Sequence, residues 1–189
     1  TTYEILNAGV YGNHSMHSTL NLLAKGIEIS PDYAVLMHNI NDLALLRLTG
    51  SYWNAPSNKA IIQSDQFVDA HRLLRNIKDL MFPNIYELLR TLRPRFTSQD
   101  DFATVRTPAD IDTSIIENQF QRSVNTFIDI CINWGIEPIL MTQFNRIDLQ
   151  DDLFNRTIPF SEPEKKQYVQ HYNRLNEILR EISIAREID

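Results

Sequence analysis

The chain has a single cysteine, Cys131, so it cannot close a disulfide within itself. Glycine is also scarce, at five residues. None of the five falls in a Gly-x-Gly-x-x-Gly or Gly-x-x-x-x-Gly-Lys pattern, so no loop of the kind that cradles nucleotide phosphates is present. The Gly-x-Ser-x-Gly elbow of the α/β-hydrolases is missing as well. No apolar run approaches the ~20 residues a membrane-spanning helix needs. Positive charge is in deficit, with 18 Lys and Arg against 24 Asp and Glu and a net charge of −6. That balance argues against a nucleic-acid partner, which requires a basic face.

The 189 residues are 43% hydrophobic and 22% charged, which suits one domain able to bury a core without staples. Cys131 lies in an apolar helical run and reads as a small buried hydrophobe. Asn13-His14-Ser15 and Asn155-Arg156-Thr157 match the glycosylation acceptor pattern, which is too short to place the chain in a compartment.

Hydrophobic patterning divides the chain into alternating strands and helices. Residues 3–7 read as a strand, and residues 15–28 as a helix with Leu20, Leu23, Ala24 and Ile27 on one face. Ser30-Pro31-Asp32 is a turn. Residues 33–38 form a second strand, whose continuous apolar character suits a parallel strand covered on both faces. A short helix or structured loop is expected from Asp42 to Leu48. A loop follows from Gly50 to Lys59, then a helical pattern over 64–93 broken at Pro83, then a polar excursion over 94–109. A long helix from about 111 to 134 carries Ile115, Ile116, Phe120, Val124, Phe127, Ile128, Cys131 and Ile132, with Gly135 at its C-cap. Residues 137–142 form the third strand. Ser161-Glu162-Pro163-Glu164 opens a last helix that runs to about 186. This order predicts an α/β fold, a parallel sheet with helices on both faces.

Chemistry concentrates where the strands end. In an open α/β sheet, ligands bind beyond the carboxyl ends of the strands. The first strand runs into Asn7-Ala8-Gly9-Val10-Tyr11-Gly12-Asn13, and the second into His38-Asn39-Ile40-Asn41-Asp42. One supplies a glycine turn and the other a carboxamide, and backbone N–H groups and Asn side chains are the donors that stabilise an oxyanion in acyl transfer. As isolated residues, Asn41 and Asp42 are equally good helix caps, and Gly12 an ordinary turn residue. Asp42 reads as structural, capping the turn that follows it.

These two segments resemble the second and third conserved blocks of the SGNH (GDSL-type) esterases and lipases. Asn39-Ile40-Asn41-Asp42 departs from the family's Gly-x-Asn-Asp at Asn39, and Asn is the next-best residue for a positive φ. The resemblance implies a flavodoxin-like three-layer sandwich and ester hydrolysis through a serine acyl-enzyme, without metal or cofactor. The substrate would be an acylated glycan, a lipid or a small ester. It implies oxyanion roles for the Gly12 N–H and the Asn41 side chain. Asn13, His38 and Gln143 are candidate substrate contacts at the same strand ends.

The family's Gly-Asp-Ser and Asp-x-x-His blocks are not found. No serine follows Gly-Asp, and none of the five histidines has an Asp three residues before it. The chain is therefore expected to be the interior part of a longer domain, incomplete in its sheet, with a helical insertion at about 51–110. In the family's sheet the strand before this segment lies between the first two strands here, and its loss would leave their backbone groups unpaired. His14 and His17, near His38 in the expected fold, could share a metal ion, but no third ligand is evident. Two other readings compete with the hydrolase. One is a non-catalytic binding or scaffold domain of the same fold. The other is an unrelated flavodoxin-like domain that holds an anion at the Gly9–Ser15 turn, where a helix begins.

Overall fold

A computed structural model describes residues 4–54, 61, 111–145 and 161–188. The chain divides into two units, Thr1–Ile61 with Ala109–Asp189, and Ile62–Pro108. The second unit falls inside the expected insertion at 51–110. It lies outside the described residues, as do the helical pattern over 64–93 and the excursion over 94–109.

In the first unit the elements run α1 (Ser15–Asn21), a π-helical turn (Leu22–Gly26), α2 (Ile27–Ile29), β1 (Tyr33–Leu36), α3 (Ile40–Thr49), a 3₁₀ turn (Tyr52–Asn54), α4 (Thr113–Asn133), β2 (Glu137–Leu140) and α5 (Glu162–Arg186). The architecture is mixed α/β, with one two-stranded parallel sheet among the described residues. β1 and β2 pair in register Tyr33↔Glu137, Ala34↔Pro138, Val35↔Ile139 and Leu36↔Leu140. The ladder continues at both ends, where Glu137 N donates to Asp32 O and Met141 N to Leu36 O, each at 2.9 Å. Those donors are odd-numbered, so Pro138 turns its missing N–H away from β1 and removes nothing from the pairing.

The expected first strand does not form over residues 4–7. Ile5 is 89% exposed and Leu6 60% exposed. A strand exists only by pairing its N–H and C=O groups with a neighbour, and no neighbour meets this segment among the described residues. β1 is also not covered on both faces. Leu36 is in the core, but Val35, pointing the other way, is 56% exposed, and Tyr33 is exposed with it.

α4 is the backbone of the core. Ile116, Phe120, Val124, Phe127, Ile128 and Cys131 recur at helical spacing and are buried, while Ile115 and Ile132 fall off that stripe and are exposed. Against this stripe pack Leu43, Leu45 and Leu46 of α3 and Tyr168, Tyr172, Leu175, Ile178, Leu179 and Ile182 of α5. α4 ends in a Schellman motif. Gly135 takes φ +70°, its N–H donates to Ile132 O, and the Ile136 N–H donates to Cys131 O. The reversal buries Ile136 and delivers the chain into β2. α5 opens as its sequence predicts, with Ser161 and Glu164 in a capping box and Pro163 in the first turn.

α1 turns a different face inward from the one expected. Leu20, Leu23 and Ala24 are exposed, whereas Ser15 and Thr19 are buried. The π turn accommodates an extra residue and shifts the helical phase, so Leu20 and Ile27 do not share a face. Thr19 Oγ1 donates to Ser15 O at 3.0 Å, and Ser15 is held by the cluster described next.

Candidate functional site

The loop before α1 is closed by a β-turn in which Asn13 N donates to Val10 O at 3.1 Å. Gly12 occupies the third position with φ +79°, the value a type II turn requires there. Among the described residues no acceptor meets the Gly12 N–H. The Asn41 side chain, in the first turn of α3, donates from Nδ2 to the Asn13 carbonyl at 2.8 Å. The two segments singled out in the sequence therefore meet, with the carboxamide beside the glycine turn.

Gln143 leaves β2 toward the same region, but its side-chain oxygen accepts the Ile40 N–H at 3.0 Å and so fixes the start of α3. Beside it, Asn39 Nδ2 donates to Tyr172 O and to Asn176 Oδ1, both at 2.9 Å, and Asn176 Nδ2 donates to Gln143 O at 2.9 Å. Asn39 has φ −164°, which is extended backbone, so the expected positive φ is not used. Asn at this position is explained by its side chain, which ties α3 to α5.

Beneath this lies a polar cluster that sequence reasoning missed. Asp42 is fully buried, 0% exposed, and does not cap its own helix. Its carboxylate accepts the Ser15 N–H at 3.0 Å, the Ser15 hydroxyl, and the Tyr52 hydroxyl at 2.6 Å. Ser15 Oγ also bonds Ser123 Oγ of α4 at 2.7 Å. The carboxylate of α3 is thus tied directly to α1 and the 3₁₀ turn, and through Ser15 to α4. Burial raises the Asp42 carboxyl above its ordinary value, while His38, Ser15 and Tyr52 pull it back. Burial, with Asp42 opposite, lifts the Tyr52 hydroxyl well above 10.0. The signal in the sequence was the Asp itself, but its partners lie 27 and 10 residues away and were not derivable from spacing.

His38 bridges this cluster to the surface. Its Nδ1 lies 3.5 Å from Asp42 Oδ2, and its Nε2 lies 2.7 Å from Ser18 Oγ on α1. The His38 side chain is 16% exposed. Burial lowers its pKa below 6.5, against the opposing pull of Asp42.

Comparison with known protein families, with curated proteins and with solved structures finds no match for this chain. The geometry therefore stands alone. Of the five sequence-predicted site residues, the structure brings Gly12, Asn13 and Asn41 together, places Gln143 against the same helix start, and joins His38 to Ser18 and Asp42. The ring centroids of His14 and His17 lie 3.8 Å apart with their planes tilted by 36°. Among the described residues, no group of three or more His, Cys, Asp or Glu could hold a metal ion. No helix among them is long and apolar enough to cross a membrane.

Proposed function

We propose that this chain belongs to an ester hydrolase of SGNH type that works through a serine acyl-enzyme. The Gly12 N–H and the Asn41 side chain are two of its oxyanion donors. The substrate class is an acylated glycan, a lipid or a small ester. The reading calls for no metal and no cofactor. The observation that supports it is the Asn41 Nδ2 to Asn13 O hydrogen bond, which sets the carboxamide beside the Gly12 turn and, among the described residues, uses only one of its two N–H hydrogens. The sandwich fold that goes with this reading extends the two-stranded sheet by further strands, including one on the edge of β1 that has no partner among the described residues.

The same hydrogen bond favours a second reading, in which Asn41 is a structural tie in a non-catalytic binding domain. Turnover separates the two. In the protein expressed from its complete reading frame, Asn41→Ala is expected to lower kcat on p-nitrophenyl esters by about 10²–10³, the usual effect of losing one oxyanion donor, worth about 3–4 kcal/mol. The variant should keep the wild-type circular dichroism. Near-normal turnover in the variant, or no turnover in the wild type, removes the hydrolase reading.

A further inference from the structure

Ser18, His38 and Asp42 form a connected line from a partly exposed hydroxyl to a buried carboxylate. Asp42 Oδ1 accepts from the Ser15 and Tyr52 hydroxyls, while Oδ2 accepts from the Ser15 N–H at 3.2 Å and faces His38. With the imidazole proton placed on Nδ1, the ring is oriented by its 3.5 Å charge contact with Asp42 Oδ2. Nε2 is then a lone pair, and the group it meets at 2.7 Å is the Ser18 hydroxyl. Serine as donor, neutral imidazole as acceptor, and a carboxylate that orients the ring is the arrangement that activates a serine. The other serine of the cluster, Ser15, is fully buried and bonds the carboxylate directly, so it has no base and no access.

We propose that Ser18 is a nucleophilic serine, with His38 as its base and Asp42 as the positioning residue, that takes the acyl group of an activated ester. Ser18 Oγ attacks the carbonyl carbon while its proton passes to His38 Nε2. The tetrahedral intermediate then collapses, the bond to the leaving alkoxide breaks, and His38 returns the proton to that alkoxide. The products are an acyl-Ser18 ester and a free alcohol. Water cleaves the ester by the same proton route. The burial that depresses the His38 pKa keeps the ring in its neutral, basic form at neutral pH. None of this depends on Gly12 or Asn41, so it goes beyond the hydrolase reading above.

The test is a fluorophosphonate probe on the folded protein expressed from its complete reading frame, with the adduct located by peptide mapping. Ser18 Oγ displaces fluoride from phosphorus, and the serine proton leaves with it through His38. An adduct on Ser18 is expected, absent in Ser18→Ala. Ser18 is half-buried and, among the described residues, its hydroxyl meets only the His38 ring, so that variant should keep the native circular dichroism. His38→Gln should slow labelling by about 10²-fold or more, the typical contribution of a general base. The wild-type pH profile needs no variant: the labelling rate should climb through a pKa below 6.5 and then level off. A folded chain without an adduct, a labelling rate that ignores pH, or a rate unchanged in a folded His38→Gln overturns the proposal. An adduct confined to another serine also overturns it, and if that serine follows Gly-Asp in the complete protein, the hydrolase reading survives alone. An adduct at Ser18 combined with unaltered turnover in Asn41→Ala does the reverse.

Discussion

Asp42 in α3 accepts the backbone N–H of Ser15, the first residue of α1, at 3.0 Å. The carboxylate of one helix therefore satisfies the orphan amide of another and places negative charge at the positive end of its dipole. Both residues are fully buried, so this contact joins the loop that carries Gly12 to the helix that carries Asn41.

Removing that carboxylate should be costly. Asp42→Ala leaves the Ser15 N–H without its acceptor and deprives the Ser15 and Tyr52 hydroxyls of theirs. A buried donor left unpaired costs about 1–3 kcal/mol. The expected loss is on the order of 3 kcal/mol in urea unfolding, with an unchanged m-value. Tyr52→Phe, which keeps the ring and deletes one donor, should lose about 1 kcal/mol. If Asp42→Ala unfolds at the wild-type urea concentration, the cluster does not organise this region.

Stability should depend on pH through His38. Its folded pKa is lowered from 6.5, chiefly by burial and against the pull of Asp42, with Ser18 as the other group on the ring. Below pH 6.5 the unfolded chain takes up a proton that the folded chain resists. The contribution is therefore complete above 6.5 and is lost as pH falls toward the depressed value. One proton corresponds to a slope of at most about 1.4 kcal/mol per pH unit. Asp42 acts in the opposite sense. Its raised pKa adds stability below 3.8 that is lost as pH climbs through the raised value. His171, also lowered from 6.5, adds to the His38 slope. Urea midpoints measured from pH 5 to pH 8 should show a flatter dependence for His38→Gln than for the wild type. Parallel curves would mean that His38 titrates alike in both states.

Two helix ends, at Asn39 and at Gly135, should lose stability on substitution for different reasons. Asn39 has φ −164° and spends its side chain on Tyr172 O and Asn176 Oδ1. Asn39→Gly gains no backbone relief and loses both bonds, so it should cost about 1–2 kcal/mol, or roughly 2–4 °C in Tm per kcal/mol. Gly135 has φ +70°, and an added Cβ there meets nothing within 4 Å. Gly135→Ala should therefore cost only the left-handed backbone penalty, about 1–2 kcal/mol, and Gly135→Asn less. A neutral Asn39→Gly would show that the tie to α5 is dispensable.

Much of the local structure was written in the sequence. The stripe from Ile116 to Cys131, the Gly135 stop and the Ser161 capping box act within a few residues, and each appears where its pattern placed it. β1, α3 and β2 follow as well, with ends that differ by a few residues. The segment 4–7 shows the limit. Its pattern is strand-like, but a strand needs a partner, and local sequence cannot supply one. The face of α1 was misread for a related reason. Hydrophobicity pointed to Leu20 and Leu23, whereas a distant carboxylate drew Ser15 inward and a π turn shifted the phase. Of the candidate site, the sequence alone determined which residue types stand at the strand ends: Gly12, Asn13, His38, Asn41 and Gln143. Only the tertiary structure decided their partners. The Asn41 to Asn13 contact spans 28 residues, Ile40 to Gln143 spans 103, and Ser18 meets His38 across 20. Such contacts depend on how helices pack around a shared core, and no periodicity within one segment encodes them.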